Sequence, residues 1–190
     1  HAILPAGLEG SISTLPLVWG SPQPTSEQRQ SAAIQLCQIA DYLCQLEKEH
    51  GRLIYLCIEP EPGCFLQRSE DVVQFFEDDL LPHGTEEIVR RYLRVCHDVC
   101  HAAVMFEGQG EVLEKFAAAG ISVGEVQVSS AVHVPFGEIE PALRQQAVEQ
   151  LSGFAEDRYL HQTVRKSRDG TESFCEDLPI ALAGLQDPAM

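Results

Sequence analysis

The sequence predicts an α/β fold in which parallel strands are joined by crossover helices. Apolar runs typical of buried strands alternate along the chain with segments whose apolar residues recur at helical spacing, and this alternation is typical of a parallel sheet. Three of the strand-like runs end in polar residues that can take part in chemistry. The chain has 190 residues, 44% of them hydrophobic, so we expect a single domain over residues 1–190.

The first predicted unit is a strand at 11–18 followed by a turn at 20–24 and a long helix. Thr25 or Ser26 is suited to cap that helix, and Gly51 stands where a helix commonly ends in a left-handed residue. Between them, apolar residues fall at helical spacing: Ala33, Leu36, Ala40, Leu43 and Leu46.

The same rhythm continues to residue 128 and then weakens. A strand at 53–58 precedes helices at 69–80 and 86–92, the first of which has acidic residues in its first turn, where the helix dipole favours them. A strand at 93–98, a helix at 110–119 that Gly120 ends, and a strand at 121–128 follow. Beyond Pro135 the pattern predicts a helix at 138–154, a strand at 159–164, a turn at 165–170 and a helix at 176–185.

Charge and composition exclude several classes of function. A formal net charge of −16 with only 13 Lys and Arg argues against binding to nucleic acid, which requires clustered basic residues, and against an anionic membrane surface. No apolar run approaches the roughly 18 residues that a spanning helix needs. We therefore expect a cytoplasmic protein with no membrane insertion.

The seven cysteines are an odd number, scattered without the paired spacing of a zinc ribbon. Reduced thiols packed as small apolar side chains are the simplest interpretation. Cys96 and Cys100 flank Asp98, but no second pair completes four soft ligands, so a structural role is predicted for them as well.

Glu59 is the first candidate site residue, because it ends the apolar run 53–58 immediately before a Pro-rich turn. Burying a carboxylate there is costly unless a cation or a donor pairs with it. A salt-bridged loop acid is the alternative interpretation. Enzymes built on α/β barrels keep their chemistry at this end of the strands, which favours a metal ligand or an acid–base group.

Two later strands end in a similar way. Asp98 and His101 follow the run 93–98, three residues apart, so both side chains can point into one pocket where the backbone turns helical. His97 is a weaker candidate, since its side chain points to the opposite face of the strand. In the strand at 121–128, Glu125 and Gln127 share a face. Carboxylates, an amide and an imidazole suit Mg²⁺, Mn²⁺ or Zn²⁺.

These motifs resemble the xylose-isomerase-like TIM barrels. The Glu59-Pro-Glu-Pro turn is similar to the strand-end Glu-Pro motif of that superfamily, and Asp98-x-x-His101 is similar to its Asp/Glu-x-x-His motif. The resemblance implies that Glu59, Asp98 and Gln127 bind a divalent metal ion. It also implies that Glu59 has a catalytic role and that His101 contacts substrate or a second metal.

A longer resemblance, to the EboE family of metabolite traffic proteins within that superfamily, covers most of the chain. It implies a small-molecule precursor destined for export as the ligand, and partners encoded in the same gene cluster. Five segments carry it in order: Gly10–Leu17, Cys57–Gly63, Cys96–Ala102, Val126–Ala131 and Tyr159–Gln162.

The chain also departs from the superfamily. A complete (β/α)8 barrel takes about 250 residues, so we expect a partial TIM barrel truncated at both ends. Glu61 stands where xylose-type isomerases have a Lys that assists hydride transfer, and the fourth metal ligand, a Glu ending the last strand, has no match before Met190.

Three functions are compatible with these residues. The first is a metal-dependent isomerase or epimerase of a small hydroxy-carbonyl compound. The second is a metal-dependent protein that binds a metabolite without converting it. An abasic-site phosphodiesterase is the third, and the acidic charge disfavours it.

Overall fold

The computed structural model describes residues 3–156 and 158–185, and the chain divides into two compact units, with the boundary after Ser130. The single domain over 1–190 stays a prediction. None of the helices within the described ranges is long and apolar enough to cross a membrane.

The first unit is a parallel four-stranded sheet that curls into a half-barrel, with helices on its outer face. Its strands are adjacent in chain order, as βαβ crossovers produce, which confirms the α/β class. Its elements are β1 Gly10–Thr14, α1 Ser26–His50, β2 Ile54–Ile58, α2 Ser69–Phe75, α3 Glu86–Tyr92, β3 Leu93–Asp98, α4 Val99–Val104, α5 Gln109–Ala118 and β4 Val123–Gln127.

The two faces of the sheet differ in what they bury. The outer face presents residues such as Ile58 and Val95, both fully buried, to the core under the helices. The inner face holds a smaller cluster of Tyr55, Cys57 and Cys96. Side chains alternate between faces along a strand. Glu59, which follows Ile58, and Asp98, two residues after Cys96, therefore both lie on the inner side.

The long helix α1 begins and ends where the sequence predicts. The Thr25 side chain accepts a hydrogen bond from the Gln28 backbone N–H, and the Gln28 side chain accepts one from the Thr25 N–H. This capping box satisfies two helix-terminal donors. Gly51 has φ 63°, a conformation that costs glycine little.

Two boundaries in the first unit differ from the prediction by more than two residues. β1 ends at Thr14 rather than at 18, because Pro16 has no N–H for the ladder and Leu17 adopts φ 67°. The helix predicted over 69–80 is α-helical only to Phe75 and continues as a π-helical turn, Phe76–Leu80.

The second unit contains a short helical segment, an antiparallel hairpin and a final helix. The helix predicted over 138–154 is a 3₁₀ turn followed by α6. The strand predicted at 159–164 lies later in the chain and overlaps the predicted turn at 165–170. It pairs with a second strand that the sequence did not predict. These elements are Pro141–Leu143 (3₁₀), α6 Arg144–Ser152, β5 Thr163–Lys166, β6 Glu172–Cys175 and α7 Leu178–Gly184.

An ion pair with a buried tyrosine joins α1 to α3 and predicts a pH effect. Glu47 accepts hydrogen bonds from Arg91, 2.9 Å from its Nε, and from the Tyr92 hydroxyl. The Arg91 hydrogen bonds hold the pKa of Glu47 below its ordinary value. Since the native pKa is depressed, this stabilisation is present above the ordinary glutamate pKa of about 4.3 and is lost as the pH falls through the lower native value.

Glu47→Gln should therefore lower the free energy of unfolding by about 1 kcal/mol at pH 7, since the pair is partly exposed. The deficit should shrink as the pH falls below about 4. Urea unfolding of both proteins between pH 7 and pH 3 measures it. A deficit of constant size over that range would rule out the ion pair as its cause.

Gly124 allows β4 to approach the inner-face cluster closely. A Cβ at this position would lie 2.6 Å from Tyr55 Cε2 and 2.7 Å from Cys57 Sγ. Both neighbours are buried, so Gly124→Ala should destabilise the protein by roughly 1–3 kcal/mol through overpacking. Gly110→Ala, in the first turn of α5 with nothing within 4 Å of its Cβ position, is the control. Equal stability of the two variants in urea unfolding would contradict the close packing.

Candidate metal-binding site at the carboxyl edge of the sheet

The residues selected from the sequence lie at the carboxyl ends of three neighbouring strands. Glu59 follows the last residue of β2, Asp98 ends β3, and Gln127 ends β4. Asp98 and Gln127 are register partners across β3 and β4. Because the strands are parallel, the three side chains are delivered to one edge of the sheet.

Glu59 is held by residues from both edge strands. Its Oε2 accepts a hydrogen bond from Ser13 Oγ on β1 at 2.8 Å and another from Gln127 Nε2 on β4 at 2.9 Å. Its Oε1 lies 3.5 Å from His101 Nδ1. The curl of the sheet therefore brings residues of its first and last strands to a single carboxylate oxygen.

Asp98 is a buried carboxylate, 7% exposed, that also caps α4. Its Oδ1 accepts hydrogen bonds from Cys100 N at 2.7 Å, His101 N at 3.2 Å and Ser129 Oγ at 2.8 Å. Burial alone would raise the pKa of Asp98, but the Ser129 hydrogen bond, the charge of His101 and the backbone donors outweigh it and lower that pKa. The site thus favours an ionised carboxylate.

His101 has a defined orientation. Its Nδ1 lies 3.0 Å from the carbonyl oxygen of Pro60, in the turn after β2. A carbonyl oxygen only accepts, so Nδ1 donates and the neutral ring carries its lone pair on Nε2. Histidine ligands of metal sites are commonly fixed in this way by an outer hydrogen bond.

Cys100 lies in the same cluster. Single ligand atoms of Asp98, Cys100 and His101 all fall within 4.8 Å of one another. Cys100 is half-buried, whereas the other six cysteines are buried as predicted. Burial, followed by the charge of Asp98, raises the pKa of the free Cys100 thiol.

The inner face below these residues is closed by packing. The Arg94 guanidinium stacks 3.7 Å from the centre of the Tyr55 ring, and the Tyr55 hydroxyl donates to the carbonyl of Gly124 at 3.2 Å. Burial raises the pKa of Cys57 to about 12 and that of Cys96 to about 11. These two thiols therefore stay protonated at neutral pH and contribute packing.

His97 lies on the opposite side of β3, as predicted. It is 5% exposed, and its Nε2 lies 2.6 Å from Gln109 Oε1 on α5. Behind the site, a cavity of about 20 Å³ is lined by residues that include His97, Asp98 and Phe116. That volume is enough for about one water molecule.

The structure brings Gln127 and His101 to Glu59, and brings His101 to Asp98. The sequence did not predict Ser13 or Ser129 as members of the site, and it predicted a structural role for Cys100. Ser13 had a usable signal, since it is an inward-facing polar residue on a strand. The contacts of Ser129 depend on where the loop after β4 runs, which no local pattern specifies.

Searches for related proteins did not assign the chain to a family. No protein-family model matches it, and no curated protein matches it either.

Proposed function

We propose that this chain binds one divalent metal ion at the carboxyl edge of its sheet and uses it to handle a small hydroxy-carbonyl metabolite. The observation that carries the proposal is the convergence of Glu59, Asp98, Gln127 and His101 from three strand ends. The resemblance to the EboE family and to xylose-isomerase-like TIM barrels supports the same function, with a precursor destined for export as its ligand.

The residues fit a cation. Glu59 uses Oε2 for its two hydrogen-bond donors, and Asp98 uses Oδ1 for its three. Oδ2 of Asp98 is therefore left for an ion, and the bonded oxygen fixes the rotamer of each carboxylate. Oε1 of Glu59 lies 3.5 Å from His101 Nδ1, a contact that an ion on this oxygen would replace.

Each residue has a distinct role in this proposal. Glu59, Asp98 and Gln127 hold the ion, with Gln127 turned so that its amide oxygen, rather than Nε2, faces it. A bound divalent ion would polarise a carbonyl and stabilise an enediolate. Glu59 also accepts or donates a proton during isomerisation or epimerisation, and His101 contacts substrate or a metal ion through Nε2.

A second candidate is binding without conversion. Glu61 stands where xylose-type isomerases have Lys, and its Oε2 lies 3.9 Å from Cys64 Sγ. A carboxylate cannot supply the positive charge that assists hydride transfer. This observation favours a carrier over a hydride-transferring isomerase, whereas proton transfer through Glu59 remains compatible with an epimerase.

Deuterium exchange separates the two candidates. The purified chain is incubated in D₂O with Mn²⁺ or Zn²⁺ and a panel of three- to six-carbon hydroxy-aldehydes and hydroxy-ketones, and NMR follows exchange of the proton next to the carbonyl. An enzyme that isomerises or epimerises by proton transfer should exchange at least one compound, and Glu59→Gln should abolish exchange. Metal-dependent binding without exchange supports the carrier. If the chain shows no exchange and no metal-dependent binding, the proposed function is overturned.

A further inference from the structure

Cys100 brings a thiol to this site, beside the carboxylate of Asp98 and the imidazole of His101, and a thiolate separates borderline metal ions from Mg²⁺. We propose that Cys100 binds the metal ion through its sulfur, together with Asp98 and His101, so that the site selects zinc or a similar ion. This inference rests on the proposed metal site and identifies its metal.

The first support is geometric. One ligand atom from each of Asp98, Cys100 and His101 lies within 4.8 Å of the other two. Ligand bonds to zinc are about 2.0–2.3 Å long, so tetrahedral ligand atoms lie about 3–4 Å apart. Closing the cluster around one ion therefore requires the ligand atoms to approach one another by no more than about 1–2 Å.

The second support is that the three side chains are already oriented. Asp98 is fixed by bonds that all use Oδ1, and His101 is fixed by Pro60 through Nδ1. Oδ2 and Nε2 are therefore the atoms left to bind an ion. The backbone N–H of Cys100 donates to Asp98, which holds the residue carrying the thiol beside the carboxylate.

The third support comes from another part of the chain. Glu59, 39 positions before Asp98 in the sequence, places Oε1 3.5 Å from the His101 ring. This contact is with Nδ1, on the side of the ring away from Nε2, so Glu59 orients the ring as an outer partner of the kind that metal-binding histidines commonly have. The orientation of His101 therefore depends on a residue outside the local arrangement at the start of α4.

The chemistry of this donor set excludes a magnesium preference. Mg²⁺ and Mn²⁺ favour oxygen ligands, whereas a thiolate with imidazole selects zinc and related ions. On binding, the thiol gives its proton to solvent and the sulfur takes up the metal. The other six cysteines are buried, so a sulfur signal from the native protein should come from Cys100.

Cobalt substitution tests the inference on the full chain. Co²⁺ bound to a thiolate has an intense near-ultraviolet charge-transfer band, which oxygen and nitrogen ligands do not produce. The wild-type protein should develop this band with one equivalent of Co²⁺. Cys100→Ser should lose the band while calorimetry still detects Co²⁺ binding. Cys64→Ser, which changes a buried thiol in the turn after β2, should keep it.

The outcomes distinguish this inference from the proposed function. Co²⁺ binding without the band in the wild-type protein would overturn the Cys100 assignment and leave the metal site standing. A band that survives in Cys100→Ser would also overturn the assignment. Absence of Co²⁺ binding altogether would overturn both.

A second measurement avoids the substitution in case Cys100→Ser does not fold. Alkylation of the wild-type protein, mapped by mass spectrometry, should be slowed at Cys100 by zinc about tenfold or more, because a bound thiolate is shielded from the reagent. The rate at Cys175, in the second unit, should not change. Equal rates at Cys100 with and without zinc would contradict the proposal.

Discussion

Phe116→Ala should lower the free energy of unfolding by about 3–5 kcal/mol. Phe116 is 1% exposed on α5 and packs in the main core under the helices. It also lines the small cavity beside Asp98. Removing the ring would join its volume to that cavity, and a larger void costs more than the lost transfer energy alone.

The same helix offers a matched control. Leu113 is 43% exposed, so Leu113→Ala should change the free energy of unfolding by about 0.5 kcal/mol or less. Urea unfolding monitored by circular dichroism measures both variants. Similar losses in the two would mean that α5 does not bury the face described for it.

Loss of a residue that only hydrogen-bonds to a metal ligand costs roughly 10- to 100-fold in metal affinity. Asp98 is proposed to bind the ion directly, so Asp98→Asn should reduce the affinity by more than this. The amide keeps an oxygen that can accept from Cys100 N and His101 N, and asparagine is among the best helix caps. The free energy of unfolding should therefore stay within about 1 kcal/mol of the wild-type value. Charge is removed while the cap is kept.

Calorimetric titration with zinc, together with urea unfolding, separates these effects. Asp78→Asn removes an acid that is exposed and should leave the affinity unchanged. If Asp98→Asn binds zinc with wild-type affinity, Asp98 is not a ligand of the ion. A large loss of stability in the metal-free variant would instead indicate that its carboxylate serves the fold.

Local patterns in the sequence account for most of the first unit. The ends of α1 at Thr25 and Gly51 were predictable because helix capping and a left-handed glycine are local effects. The apolar runs of β2 and β3 are long enough to be recognised as strands. The π-helical turn after Phe75 and the hairpin of the second unit were not predictable. They depend on which chain segments pack against them.

The candidate site also combines residues that the sequence predicts with residues that it does not. Glu59 and Asp98 were predictable because each ends an apolar strand, and parallel strands carry such residues to one edge. The hydrogen bonds from Ser13 and Ser129 arise from the curl of the sheet and the path of a loop. Cys100 was grouped with the packing cysteines because composition cannot show that the chain turns helical at Asp98 and leaves this thiol half-buried.

Calorimetric titration of the metal-free chain with zinc shows whether these residues form a metal site. We expect one ion per chain for the wild-type protein, with large losses of affinity in both Glu59→Ala and Asp98→Ala, whose substituted residues come from different strands. Absence of zinc binding by the folded wild-type protein, or wild-type affinity in both variants, would contradict this expectation.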